Sequence, residues 1–184
     1  MTEISIKHLE GSWKCCYFDA DNCDKYLAQL GVAWAIRKVG KNCKQTIELK
    51  KEEAGLHIIT STRVTSTDDH FKFTVPRLVT TKDGRKSTVI FTVKDMKDLR
   101  SKDKADLTEE DLIDIQEDDE DLSYEGGKFA INSENTVYLH KQESWTDSKG
   151  KQQKAKITMK ITKTGQMYCR MSCNGIVVRR LHDL

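Results

Sequence analysis

Proline occurs once in 184 residues, and no long flexible linker breaks the chain, which argues for one domain over residues 1–184. No apolar run approaches membrane-spanning length, and the amino-terminal MTEISIKHLEG has no apolar signal core. A cytoplasmic protein is therefore expected, with its six cysteines kept reduced. Their spacing fits no zinc template. Cys15 and Cys16 are adjacent and point to opposite faces of a strand, whereas Cys169 and Cys173 share a face as small hydrophobes. The net charge of +2 is too small to suggest nucleic-acid or anionic-membrane binding by itself. No motif asks for a cofactor or a metal.

What the chain does contain is β-like almost throughout, with one exception near its start. From Asp24 to Gly40 the residues DKYLAQLGVAWAIRKVG hold two short helical patterns back to back. Tyr26, Leu27 and Leu30 recur at helical spacing before Gly31, and Val32, Ala33, Trp34, Ile36 and Val39 precede Gly40. Each is too short to be stable alone, so the pair must rest on something larger. Strand-like runs follow at short spacing, separated by turn signals such as Asp83-Gly84, Thr164-Gly165 and Asn174-Gly175. About ten antiparallel strands suggest a sandwich or an up-and-down barrel. The early helical hairpin favours an all-β barrel with a lid.

One segment interrupts this rhythm. Between Ala105 and Glu125 acidic residues recur without a single Lys or Arg. Thr108 and Asp111 have the spacing of a capping box, which predicts a helix from Glu109 to about Ile115 and then a disordered acidic run. A calcium loop is the sharper alternative, but the EF-hand glycine and terminal glutamate are missing. Basic residues on either side, among them Lys94, Arg100 and Lys156, could hold the segment against the barrel.

Gly11-Ser12-Trp13-Lys14, Asn22-Cys23-Asp24-Lys25-Tyr26-Leu27 and LGVAWAIRKVG from Leu30 to Gly40 together resemble the opening of the intracellular fatty-acid-binding and cellular retinoid-binding proteins. The likeness continues through Ile59-Thr60-Ser61-Thr62, Phe71-Lys72-Phe73, Asp83 to Val89, and Val137-Tyr138-Leu139-His140 to the carboxyl end. Residues 95–127 form an acidic loop insertion without counterpart in typical members, and Cys23 stands where an aromatic is usual.

The resemblance implies a ten-stranded up-and-down antiparallel β-barrel, flattened like a clam and capped by a helix-turn-helix lid after the first strand. It implies a cavity for a long-chain fatty acid or related lipid, its carboxylate held by basic residues and a tyrosine of the last strands. Arg180 takes the final-strand arginine position, and His182 takes the tyrosine's. Alignment puts Lys160 where a second arginine often stands, yet alternation with Ile157, Met159 and Ile161 would turn it outward. Tyr26, Val32 and Ile36 on the lid, Val64 at the portal, and Cys169 and Met171 inside would meet the acyl tail. Trp34 is expected to pack the lid against the rim.

A monomeric, non-catalytic carrier follows, with Lys25, Arg37 and Lys38 either making transient membrane contact or forming a solvated face. Acceptor proteins are further transient partners on this reading. A retinoid carrier is the near alternative. A divergent barrel using its acidic insertion as a protein-interaction module is the distant one. An enzyme built on His140, Cys169 and Asp83 lacks a nucleophile motif or an adjacent base.

Overall fold

The computed structural model describes residues 5–40 and 43–184. The first four residues of the amino-terminal stretch lie outside that range. Strand β1 (Gly11–Phe18) is followed by helices α1 (Ala20–Gln29) and α2 (Trp34–Gly40). Four short strands come next, β2 (Thr46–Glu52), β3 (Gly55–Ser61), β4 (Ser66–Lys72) and β5 (Arg77–Thr80), then the longer β6 (Lys86–Asp95). The segment after β6 holds α3 (Met96–Ser101), α4 (Glu109–Asp119), β7 (Leu122–Tyr124) and β8 (Gly127–Phe129). The chain ends with β9 (Val137–Thr146), β10 (Gln152–Ile161), β11 (Met167–Cys173) and β12 (Ile176–Asp183).

Ten of the strands form one antiparallel sheet in the order β4-β3-β2-β1-β12-β11-β10-β9-β6-β5, while β7 and β8 pair separately. Pairing of β1 with β12 brings the chain ends together, so the sheet curls into a nearly closed barrel. The remaining gap lies between β4 and β5, where Arg77 reaches across to Asp69 at 3.1 Å and to the His70 carbonyl at 2.7 Å. Inward residues such as Trp13, Ile47, Leu49, Leu56, Phe71 and Phe91 fill one end as a common apolar cluster.

The lid forms for local reasons. Asp19 caps α1 by accepting from the Asn22 amide at 3.0 Å. Cys23, Tyr26 and Leu30 then lie on one face and pack on Trp145, Ala155, Cys173 and Val178 of the barrel. The shorter α2 buries none of its side chains. Its tie to α1 is Arg37, which donates to the Val32 carbonyl at 3.0 Å and to Asp24 at 3.2 Å.

The acidic segment departs from expectation. The helix runs on to Asp119 and a two-stranded hairpin follows, so the acids past Ile115 are helix and turn rather than a disordered run. Its cap matches the sequence pattern: Thr108 Oγ1 accepts from the Asp111 amide at 3.1 Å, and Asp111 accepts from the Thr108 amide at 3.0 Å. What no local pattern discloses is that α4 is inside out. It turns Asp111, Asp114 and Glu117 toward the barrel and leaves Leu112 and Ile113 exposed.

The acids face a basic patch on the outer wall of β9–β11. Arg170 is the hub, 3% exposed, bonded to Glu110 at 2.8 Å, to Asp114 at 2.7 Å and to Glu117. Lys160 donates to the Asp114 carbonyl at 2.8 Å and to Asp118 at 3.1 Å. The hydroxyls of Tyr138 and Tyr168 donate to Asp114 and Glu117, each at 2.8 Å. Lys94 and Lys156 complete the ring on Asp111 and Glu110. Each buried charge thus meets an opposite charge and several hydrogen bonds, the condition under which such burial is tolerated.

Two buried histidines and one of these acids contribute strongly to the response to pH. His140 and His182 are held neutral, with pKa values of about 4, because burial disfavours the imidazolium. Lys94 adds to this at His140, and Arg180 at His182. The unfolded chain, titrating at 6.5, takes up protons that the folded chain refuses. Their contribution to stability is therefore full above about pH 6.5 and drains as the pH falls to 4, by about 3 kcal/mol for each histidine. Burial alone would raise the Asp111 pKa, but Lys94 and Thr108 overcome it and hold it at about 2. Its contribution is lost as the pH falls from 3.8 toward 2. Urea titrations from pH 8 to pH 3 are expected to give a plateau and then this decline. His140→Gln should flatten the upper part, and an unchanged slope would contradict the assignment.

Candidate functional site

The Asn174-Gly175 turn, with φ of 49° and 79°, starts the last hairpin and sets the register of β12. Cys169 then stands opposite Arg180, and Met167 opposite His182. Alternation turns Val178, Arg180 and His182 inward, and Arg179 outward onto the Tyr168 hydroxyl at 3.2 Å.

Arg180 and His182 border a hollow of about 210 Å³ whose apolar wall includes Ile47, Ile58, Ile157, Met159, Cys169 and Met171. Gln45 and Lys141 bring further polarity to it. A second hollow of about 350 Å³ extends toward the β4–β5 gap and shares Ile58, Thr60, Thr67 and Lys141 with the first. A third of about 220 Å³ opens between α2 and the β3–β4 turn. Leu27, Ile36, Val39 and Val64 line its mouth, while Gln45 and Arg180 lie at its junction with the first. The three trace a path from the lid into the barrel, of a size that suits a small ligand.

The polar end is under-satisfied. Arg180 donates to Gln45 at 2.8 Å and to Cys23 Sγ at 3.3 Å, but its buried Nε has no partner among the described residues. Neither ring nitrogen of His182 makes a well-formed hydrogen bond there, beyond a weak interaction with the Met167 backbone. Burial pushes the Cys169 thiol up to about 12, against the opposing charge of Arg180, so it acts as an inert wall group. Unpaired buried donors on an apolar cavity are groups awaiting an acceptor.

The expected residues divide into four sets. Arg180, His182, Cys169 and Met171 meet around the first hollow. Ile36 and Val64 stand at the portal, 54% and 66% exposed. Tyr26 and Val32 lie under the lid in its own packing cluster and line none of these hollows. Lys160 is a correction: it faces away from the cavity and is buried beneath α4. Strand alternation decides this, since Met159 takes the inward position and no bulge interrupts β10 against β11. Trp34 is a second correction, being 60% exposed with the Lys38 ammonium 3.9 Å from its ring centre rather than packed on the rim.

Two further residues, Lys141 and Gln45, line the first hollow beyond those the sequence points to. The signal for Lys141 was present in β9, where it follows inward Leu139 by two residues. Its ammonium lies 3.5 Å from Glu143, which Arg85 also neutralises at 3.1 Å. On the outer wall Glu52, His57 and His70 bring one potential ligand atom each to within 4.8 Å of one another.

No protein-family model matches the chain. A fatty acid-binding protein of Clonorchis sinensis is 42% identical over 82 residues, 43% of this chain and 60% of that protein. Fatty acid-binding protein 5 of Pygoscelis papua is 27% identical over 92 residues, half of this chain and 67% of its own. The chain thus aligns with about three-fifths to two-thirds of these relatives' length. Among solved structures, a Schistosoma mansoni fatty acid-binding protein in complex with arachidonic acid superposes with a TM-score of 0.63 at 16% identity, covering 97% of both chains. Fatty-acid-binding protein 1 of Echinococcus granulosus gives 0.62 at 13% identity, over 97% of this chain and 98% of its own. Fatty-acid-binding proteins thus stand among both the sequence relatives and the solved structures that this chain resembles, and the solved structures share its barrel fold.

Proposed function

We propose that this protein is a carrier that reversibly binds a long-chain fatty acid, or a similar hydrophobic carboxylate, and moves it through the cytosol. The observation that carries the reading is the pair of unpaired donors, Arg180 Nε and the His182 ring, at the polar end of an apolar hollow. Each buried methylene is worth about 0.8 kcal/mol, enough for an acyl chain to outweigh the ordering cost of binding. The carboxylate, costly to bury alone, would receive the arginine's charge and the donors of both residues. The arachidonic acid bound by the Schistosoma protein and the names of the two sequence relatives support the same ligand class.

On this reading the protein works as a monomer, and its portal delivers lipid to membranes or acceptor proteins. Exposed Trp34, Ile36 and Val39 beside Arg37 and Lys38 fit passing contact with an anionic bilayer. The interaction-module alternative has less support, because Arg170, Lys160 and Lys94 already occupy the inward acids of α4.

The direct test is mass spectrometry of lipids extracted from the purified protein, followed by oleate titration of the stripped form. A one-to-one or two-to-one fatty-acid complex of micromolar or tighter affinity is expected, roughly −8 kcal/mol or better. A retinoid in the extract would redirect the assignment. Failure to bind any hydrophobic carboxylate would remove it.

A further inference from the structure

The outer wall of β2–β4 carries an arrangement that lipid binding leaves unused. His57 of β3 and His70 of β4 are direct cross-strand partners, and their rings stack with centroids 4.2 Å apart and planes 6° from parallel. Glu52, at the end of β2, accepts from His70 Nδ1 at 2.7 Å. One ligand atom from each of these three side chains lies within 4.8 Å of the others. Asp68, two residues before His70 on the same face, lies 2.7 Å from His57 Nε2.

We propose that Glu52, His57 and His70 form a surface site for a divalent transition-metal ion of the zinc class. Two imidazoles and a carboxylate suit zinc, copper or nickel, whereas calcium and magnesium take oxygen ligands. A tetrahedral ion about 2 Å from each donor needs those donors about 3.3 to 3.5 Å apart. The side chains are exposed or half-buried, so rotamer changes close the distance while the paired strands hold the Cβ atoms in place. Asp68 can enter as a fourth ligand, or keep its bond to His57 and fix the ring's orientation.

The position gives such an ion something to do. Strand β4 borders the barrel's gap and pairs with β3 alone, so an ion bound across β2, β3 and β4 would clip this edge to its neighbours. None of the three ligands lines the lipid path.

Calorimetric titration of chelator-treated protein with Zn²⁺ alone, on the natural chain and on His57→Asn/His70→Asn, tests the site. Circular dichroism would verify that the variant stays folded. The natural chain should bind one ion with a rise in Tm. The variant should lose at least ~tenfold in affinity and the rise with it. Equal binding by both would place zinc elsewhere on the chain and overturn the proposal, as would no binding by the natural chain.

Discussion

Arg170→Ala is expected to loosen the acidic helix from the barrel and lower the unfolding free energy by about 3–5 kcal/mol, the range for removing one partner of a buried ion pair. Arg170 is the common partner of Glu110, Asp114 and Glu117, and the last two are themselves 0% and 4% exposed. Without it Lys160, at 3.9 Å from Asp114, cannot also serve Glu117, which keeps only the half-exposed Arg179 at 3.9 Å and the Tyr168 hydroxyl, while the Tyr138 hydroxyl gives Asp114 a dipole. The acids must then take up protons or lift off into water. Burial works against the arginine's cation, but Glu117, Asp114 and Glu110 together outweigh it and raise its pKa, so it stays charged across the working pH range. Urea denaturation measures the loss, and limited digestion with a glutamate-specific protease reports whether α4 has opened. An unchanged midpoint with full protease resistance would show that the patch is not what holds the helix.

Arg180→Ala is expected to weaken fatty-acid binding by ~2–5 kcal/mol, or about thirty- to several-thousandfold, by leaving the ligand carboxylate desolvated without its counter-charge. Arg179→Ala should stay within about twofold, since that side chain faces out onto Tyr168. Lys160→Met should likewise spare affinity, because its ammonium lies on the outer wall, against α4 and the Tyr138 ring. Titration with a fluorescent fatty acid separates the three. Equal losses at Arg179 and Arg180 would mean that the carboxylate is held elsewhere. A loss at Lys160 alone would place it on the outer wall.

The lid and the barrel could be read from sequence because their causes are local. Tyr26 and Leu30 have helical spacing, and Asn174-Gly175 adopts the backbone that a tight hairpin requires. The Thr108–Asp111 cap is a four-residue matter and was equally visible. The destination of α4 was not, because it depends on partners far along the chain: Arg170 lies 56 residues from Asp114. Alternation marked Lys160 as outward but could not show that outward there means buried. Tyr138, His140 and Tyr168 share that fate, so both faces of these strands are covered and the two-residue period blurs. Trp34 stays exposed despite its size, because its seven-residue helix buries none of its side chains.

The inside-out helix has one more effect. Residues 95–127 hold fourteen carboxylates against four basic side chains, a net −10, so a chain totalling +2 carries +12 on everything else. This acidic segment is a tethered counterion, neutralising in place what would otherwise be a polycation. A splice form or protease that removed it would turn a quiet barrel into a salt-sensitive binder of RNA and other polyanions.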